Sequence, residues 1–230
     1  MVHGVLFDKD GTLFDFGRSW SNWAHAVVWD LADGVPETAG ALAALLSYDL
    51  EDRRFLPESV AIAGTLGDVV AVLAPALPAI MPEALERRLA ARAAATAMVP
   101  VLPLAPLLRG LRDAGLILGV ATNDAEAAAR AHLETAGIIE DMQFVFGYDS
   151  GHGGKPEPGM CLAFARAAGL APGACVMVGD STHDLIAGRA AGMRTVAVLT
   201  GLATADVLAP LADAVLPDIG ALPGWIAAQA

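Results

Sequence analysis

Apolar residues in this chain follow two rhythms, and the change between them falls near residue 100. Beyond it, short unbroken apolar runs alternate with segments of helical spacing. LILGVAT (116–122), CVMVGD (175–180) and RTVAVLT (194–200) have strand length; QFVFGYD (143–149) is a further candidate and DAVLPD (213–218) a possible edge strand. Between them, Leu104, Leu107, Leu108 and Leu111 recur at helical spacing and stop at Gly115, a good C-terminal cap. Asp124 is placed to cap a helix that ends at Gly137. Further helices are expected over 158–169 and from 181 to Gly192. Strands without polar alternation, interleaved with helices, form a parallel sheet covered on both faces.

Residues 16–98 read as helices only. Trp20, Trp23, Val27 and Leu31 share one helical face, with Trp29 expected in the same core and one of the three rings able to line a cavity, and PEALERRLAARAAATA opens with proline at a helix start. The stretch 59–82 is apolar enough to raise the question of a membrane span. Asp68 and the prolines at 75, 78 and 82 argue instead for a short amphipathic helix followed by a proline-punctuated loop. The predicted fold class is therefore α/β, with a doubly wound parallel sheet built from 1–15 and 99–230. An all-helical domain, 16–98, is inserted after the first strand.

Composition narrows the functions. With 230 residues and 55% hydrophobic content, there is ample material for a core. A net charge of −12 argues against a nucleic-acid or membrane partner. Cys161 and Cys175 lack metal-ligand company and read as buried, reduced thiols. With a chain that opens directly in a strand, the expectation is a soluble cytoplasmic protein, a monomer or homodimer. Lys9 and Lys155 are the two lysines among 14 basic residues, and both flank loops rich in chemistry.

Those loops fall at strand ends. Val5-Leu6-Phe7 runs into Asp8-Lys9-Asp10-Gly11-Thr12; the strand at 116 ends in Thr122-Asn123; the strand at 175 ends in Gly179-Asp180-Ser181, with Asp184 one helical turn on. Ligands of an open parallel sheet bind beyond these ends. Asp8 and Asp10, two apart in extended chain, face one site while Lys9 turns aside to make a salt bridge. Gly11 lets the backbone turn sharply. Carboxylates ~4 Å apart repel by about 4 kcal/mol at an effective dielectric near 20. A divalent cation removes that cost, and oxygen-only ligands suit Mg2+. Acids around magnesium, with Thr122, Asn123 and Lys155 as donors, describe a phosphoryl site.

The set D-x-D-G-T (8–12), a strand-end Thr (122), K-P (155–156) and G-D-S-x-x-D (179–184) resembles the haloacid dehalogenase superfamily. GDSTHDLIAGRAAGM is similar to its phosphoglycolate phosphatase-like branch, and the helical insert sits where that branch has its cap. The resemblance implies Asp8 as nucleophile, Asp10 as general acid and base, and an aspartyl-phosphate intermediate. It implies Mg2+ held by Asp8, the Asp10 carbonyl and Asp180, with Asp184 supporting, and phosphate held by Thr122, Asn123 and Lys155. The expected substrate is a small phosphorylated metabolite, 2-phosphoglycolate first, its carboxylate read by Arg18, Arg53 or Arg54. Arg53 and Arg54 also read as a plain solvated helix end. His152 and His183 lie in site loops with no required role; His3, His25 and His132 read as structural or surface residues. A sugar-phosphate mutase shares every core motif and stays open as an alternative. A phospho-receiver module is remote, because its lysine follows all the acids.

Overall fold

In the computed structural model, which describes residues 1–62 and 64–229, the chain opens with β1 (Gly4–Phe7). It then leaves the sheet for α1 (Phe16–Leu31), α2 (Pro36–Leu45), a short pair β2 (Tyr48–Asp49) and β3 (Arg54–Phe55), α3 (Leu66–Leu73) and α4 (Pro82–Ala94). After α5 (Leu104–Asp113) come β4 (Ile117–Ala121), α6 (Glu126–Thr135), β5 (Phe144–Phe146) and α7 (Gly159–Ala167). The chain finishes with β6 (Cys175–Gly179), α8 (Thr182–Ala190), β7 (Arg194–Val198), α9 (Ala205–Leu208), β8 (Ala214–Leu216) and α10 (Leu222–Ala227).

Six of these strands form one sheet in the order β5-β4-β1-β6-β7-β8, every neighbouring pair parallel. The chain order reverses at β1. Phe7 pairs with Val120 on one side and Val178 on the other, so β1, β4 and β6 end almost level. The central strands β1, β4 and β6 are apolar throughout because both faces are covered. Phe7, Leu118, Val120 and Val176 pack with Leu108 and Leu133; Leu6 and Met177 pack with Met160 and Phe164. A Cβ on Gly119 would lie 2.8 Å from the Phe164 ring, so the strand carries glycine where a helix side chain needs the room.

The insert has its own core, in which Trp20, Trp23, Val27 and Leu31 are all buried on one face of α1. Trp29 is only partly buried against it. The insert leaves and returns through two strands of chain lying side by side: Asp15 N–H donates to Val99 O at 2.8 Å and Val101 N–H to Leu13 O at 3.1 Å. Among the described residues, no helix is long and apolar enough to cross a membrane; the stretch from 59 to 82 contains α3 and a loop that ends at Pro82.

Two local readings need correction. The insert is not helical throughout: β2 and β3 pair antiparallel, Tyr48 opposite Phe55 and Asp49 opposite Arg54. The turn between them is closed by Asp49 Oδ1, which accepts from the backbone N–H of Glu51 and Asp52 at 2.9 Å each. Arg53, at φ 50°, completes it in left-handed geometry. Helical periodicity is silent about a turn made by one aspartate. Asp124, in turn, does not cap α6. Ala125 holds the cap position without a side-chain bond, and Asp124 is drawn elsewhere by a buried cation.

Candidate active site

Two strand ends deliver the acids. Asp8 follows β1, Asp180 follows β6, and Asp184 lies in the first turn of α8. Ser181 caps that helix, and the Asp184 carboxylate returns the bond through Oδ2, accepting from Ser181 N–H at 3.0 Å and Ser181 Oγ–H at 2.7 Å. Gly11 is needed twice over. Its φ is +85°, and a Cβ there would stand 2.3 Å from Asp180 Oδ2. Asp8, Asp180 and Asp184 are all buried, and each offers an oxygen within 4.8 Å of the others. That buried, all-oxygen donor set fits a small hard cation such as Mg2+.

Lys155 crosses between them. Its ammonium donates to Asp8 Oδ1 and, at 2.6 Å, to Asp184 Oδ1. Asn123 secures the lysine from behind: its side-chain amide donates to Lys155 O and its Oδ1 accepts from Lys155 N–H, both at 2.8 Å. Thr122 Oγ1 accepts from Asp124 N–H at 3.1 Å, which leaves its proton available to a ligand. The electrostatics follow from burial. Burial pushes the Asp8 carboxyl up to about 7; Lys155 pulls the other way, and Asp184 and Asp10 add to the rise. Asp180 is raised well above the ordinary range, first by burial and then by repulsion from Asp8 and Asp184. Burial works against the charge of Lys155, but Asp184 and Asp8 outweigh it and hold its value above that of a free lysine.

Asp10 faces another partner. Its Oδ1 accepts from Lys9 Nζ at 2.8 Å and from Trp20 Nε1 at 2.7 Å. Lys9 is completely buried, with Asp10 Oδ2 at 2.7 Å, Asp124 Oδ2 at 3.4 Å and His132 Nδ1 at 3.2 Å. The salt bridge expected of Lys9 is present, and it has two acids rather than one.

Over these residues lies a cavity of ≈ 90 Å3. Asp8, Asp10, Thr122, Asn123, Lys155, Asp180 and Asp184 all line it. Its other wall comes from the insert, chiefly Phe16, Trp20, Trp23, Phe55, Leu66 and Val69.

A protein-family model described as haloacid dehalogenase-like hydrolase matches residues 2–192. The chain belongs to the haloacid dehalogenase-like hydrolases. A protein named probable phosphatase IndB, from Dickeya dadantii, is 32% identical over 93% of this chain and 88% of its own length. A phosphoglycolate phosphatase from Xanthomonas campestris is 32% identical over 88% of this chain and 85% of its own. Among solved structures, a haloacid dehalogenase-like hydrolase from Bacteroides fragilis superposes with a TM-score of 0.72 at 20% identity, covering 96% of this chain and all of that one.

In this hydrolase the sequence-derived core set comes together: Asp8, Asp10, Thr122, Asn123, Lys155, Asp180 and Asp184 meet at one cavity. The arginines do not join them. Arg18, Arg53 and Arg54 are exposed, Arg54 is paired with Asp52 at 3.3 Å, and none is among the cavity's described lining residues. The hairpin turn explains the last two, since it directs residues 50–54 outward. His183 lines the cavity; His152 packs against Phe146 outside it. Cys161 and Cys175 are buried free thiols, burial raising them to about 12 and about 11. Sequence reasoning missed Asp124 and His132 as neighbours of the site, and allowed one tryptophan ring of the insert to line it where Trp20 and Trp23 both do. A lysine between two site acids was the available signal that counter-charges had to lie nearby.

Proposed function

We propose that this hydrolase is a Mg2+-dependent phosphatase that cleaves a small phosphomonoester through an aspartyl-phosphate on Asp8. The observation that carries the reading is the buried group of Asp8, Asp180 and Asp184 with the Lys155 ammonium between two of them. Asp8 attacks phosphorus, the bond from phosphorus to the ester oxygen breaks, and Asp10 gives that oxygen its proton. Water then attacks the acyl phosphate with Asp10 taking its proton, which frees phosphate and restores Asp8. Asp8 and Asp180, with the Asp10 carbonyl and Asp184 in support, are the residues that would hold Mg2+. Bound there, the metal supplies positive charge against the carboxylates and the phosphoryl oxygens. Lys155 and the Thr122 hydroxyl face the same oxygens. The Asn123 side chain contributes by fixing Lys155.

The substrate follows from the wall. The names of relatives and the sequence resemblance favour 2-phosphoglycolate, yet the described lining holds no guanidinium for its carboxylate. Moving an unpaired carboxylate against Phe16, Phe55 and Leu66 costs several kcal/mol. A phosphosugar, as a mutase would need, meets the same difficulty with its hydroxyls. The wall favours an ester whose alcohol is uncharged and largely apolar. Phosphate release from 4-nitrobenzyl phosphate and 2-phosphoglycolate, with Mg2+ and with EDTA, tests both parts. Full activity in EDTA removes the metal, and a preference for phosphoglycolate removes the substrate class.

A further inference from the structure

Lys9 is not used by the reaction as derived, yet it is the best-connected buried cation among the described residues. It lies between Asp10 and Asp124 with its ammonium 5.2 Å from the centre of the Trp20 ring, and it is wholly removed from water. Removing a charge from water on this scale is unfavourable unless its partners are fixed around it. Two of those partners reach the insert. Trp20, which donates to Asp10 Oδ1, is on α1. His132, beside the Lys9 ammonium through Nδ1, has Nε2 2.8 Å from Ala93 O near the end of α4. An ammonium has only donors to offer, so Nδ1 is the acceptor and Nε2 carries the proton to Ala93. Both the entry and the exit helix of the insert thus touch the cluster around Lys9, α1 through Trp20 and α4 through Ala93.

We infer that Lys9 is a positioning residue for Asp10, and that with Trp20 it holds the Asp10 carboxyl where it can pass a proton to the leaving oxygen. This rests on the reading of Asp10 as general acid. Trp20 donates to Oδ1, and the Lys9 ammonium stands 2.8 Å from Oδ1 and 2.7 Å from Oδ2, so the carboxyl is gripped at both oxygens. As the ester bond breaks, the Asp10 proton passes to the leaving oxygen, and the carboxylate that remains is already paired with Lys9. Arginine is the chain's ordinary cation, but its planar fork does not fit a point between two carboxylates and an imidazole.

The test is leaving-group dependence, which a purely structural role does not alter. 4-Nitrophenyl phosphate departs without help from an acid, whereas 4-nitrobenzyl phosphate, nearly the same shape, releases an alkoxide that needs the proton. Measured by kcat/KM, Asp10→Asn should lose about 10²–10⁴-fold on the benzyl ester and far less on the phenyl ester. Lys9→Met should follow the same pattern, with at least a tenfold selective loss. Trp20→Phe keeps the ring and removes only the N–H, and should show a smaller selective loss of several-fold. Equal losses on both esters in Lys9→Met and Trp20→Phe, beside a selective Asp10→Asn, would overturn the inference and leave the phosphatase standing. If Lys9→Met does not fold, Trp20→Phe decides alone on the same criterion. An unselective Asp10→Asn would remove the general acid, and the inference with it.

Discussion

The sheet side of the cavity carries five carboxylates and the Lys155 ammonium, with Lys9 buried behind them, whereas the insert side presents mainly aromatic and aliphatic surface with, among the described residues, the Trp23 N–H buried and unpartnered. The first surface is organised by charge. Lys155 stands between Asp8 and Asp184, and Lys9 between Asp10 and Asp124. The second is organised by packing, since Trp20, Trp23, Phe16, Phe55, Leu66 and Val69 belong to the core of the insert as well as to the cavity. The difference separates what each side can decide. Fixed charges act on the phosphoryl group, which every phosphomonoester shares; an apolar wall acts on the alcohol, where esters differ.

The sharpest break of the charged side is Asp8→Asn. It removes the proposed nucleophile and should lower kcat by about 10⁴-fold or more. Stability should not fall with it. The folded value of Asp8 lies at about 7, above the ordinary 3.8, so below the unfolded value the neutral group is harmless in both states. As pH rises towards the folded value, ionisation costs the folded state stability. Asparagine avoids that cost, and in EDTA at pH 8 the variant should melt no lower than wild type. Residual phosphatase activity within tenfold of wild type would show that Asp8 is not the nucleophile.

Lys155 is next. Lys155→Met leaves Asp8 and Asp184 facing each other in the interior, and breaking a buried pair costs about 3–5 kcal/mol. Lys155→Arg keeps the charge but not the shape, and should fold better while losing about a hundredfold or more in kcat. An arginine variant of near wild-type rate would mean that charge alone is wanted here, and the contrast between the two sides would rest on less than geometry.

The same contrast explains what was legible in the sequence. Charged loops at strand ends announce themselves, because an apolar run that stops in Asp8-Lys9-Asp10 has few physical reasons to do so, and parallel strands must end on one edge. The sheet, its helices and the edge strand at 214–216 followed from apolar runs of the right length. The wall was legible only in part. Trp20 and Trp23 have the spacing of core residues and are core residues; that one ring of the group could line a cavity was open from the sequence, but the spacing does not say which. The outward course of Arg53 and Arg54 depends on two backbone bonds to Asp49 in a tight turn, a local event that periodicity averages away. His132 looked structural because its partner Lys9 is 123 residues distant.

Metal affinity sharpens the charged side further. A cation competes with protons for Asp8 and Asp180, both raised above the ordinary carboxylate range. Between pH 6 and pH 8 the proton on Asp8 is lost, so Mg2+ affinity should tighten by about tenfold or more. Titration of the Mg2+-dependent shift in Tm at the two pH values reads this directly. A constant affinity across the range would place the metal away from Asp8.

The smallest effect belongs to the apolar side. Trp23 lines the cavity with its Nε1–H buried and, among the described residues, without a hydrogen-bond partner. An unmade bond of this kind costs about 1–3 kcal/mol in the free protein, a cost that a ligand carrying one acceptor on an otherwise apolar body would relieve. Trp23→Phe keeps the aromatic wall and deletes the donor. It should therefore leave Tm unchanged or slightly higher. For 4-nitrobenzyl phosphate, whose nitro group accepts hydrogen bonds, kcat/KM should fall by about fivefold, the equivalent of about 1 kcal/mol. For benzyl phosphate, which lacks that acceptor, it should not fall. The comparison matters because a loss of ring packing would reduce both esters alike. Trp23 also borders a second hollow, between α1 and α4, lined by Asn22, Arg92 and Thr96. No difference between the two esters would assign the N–H to that hollow, and the insert's wall would then act through shape alone.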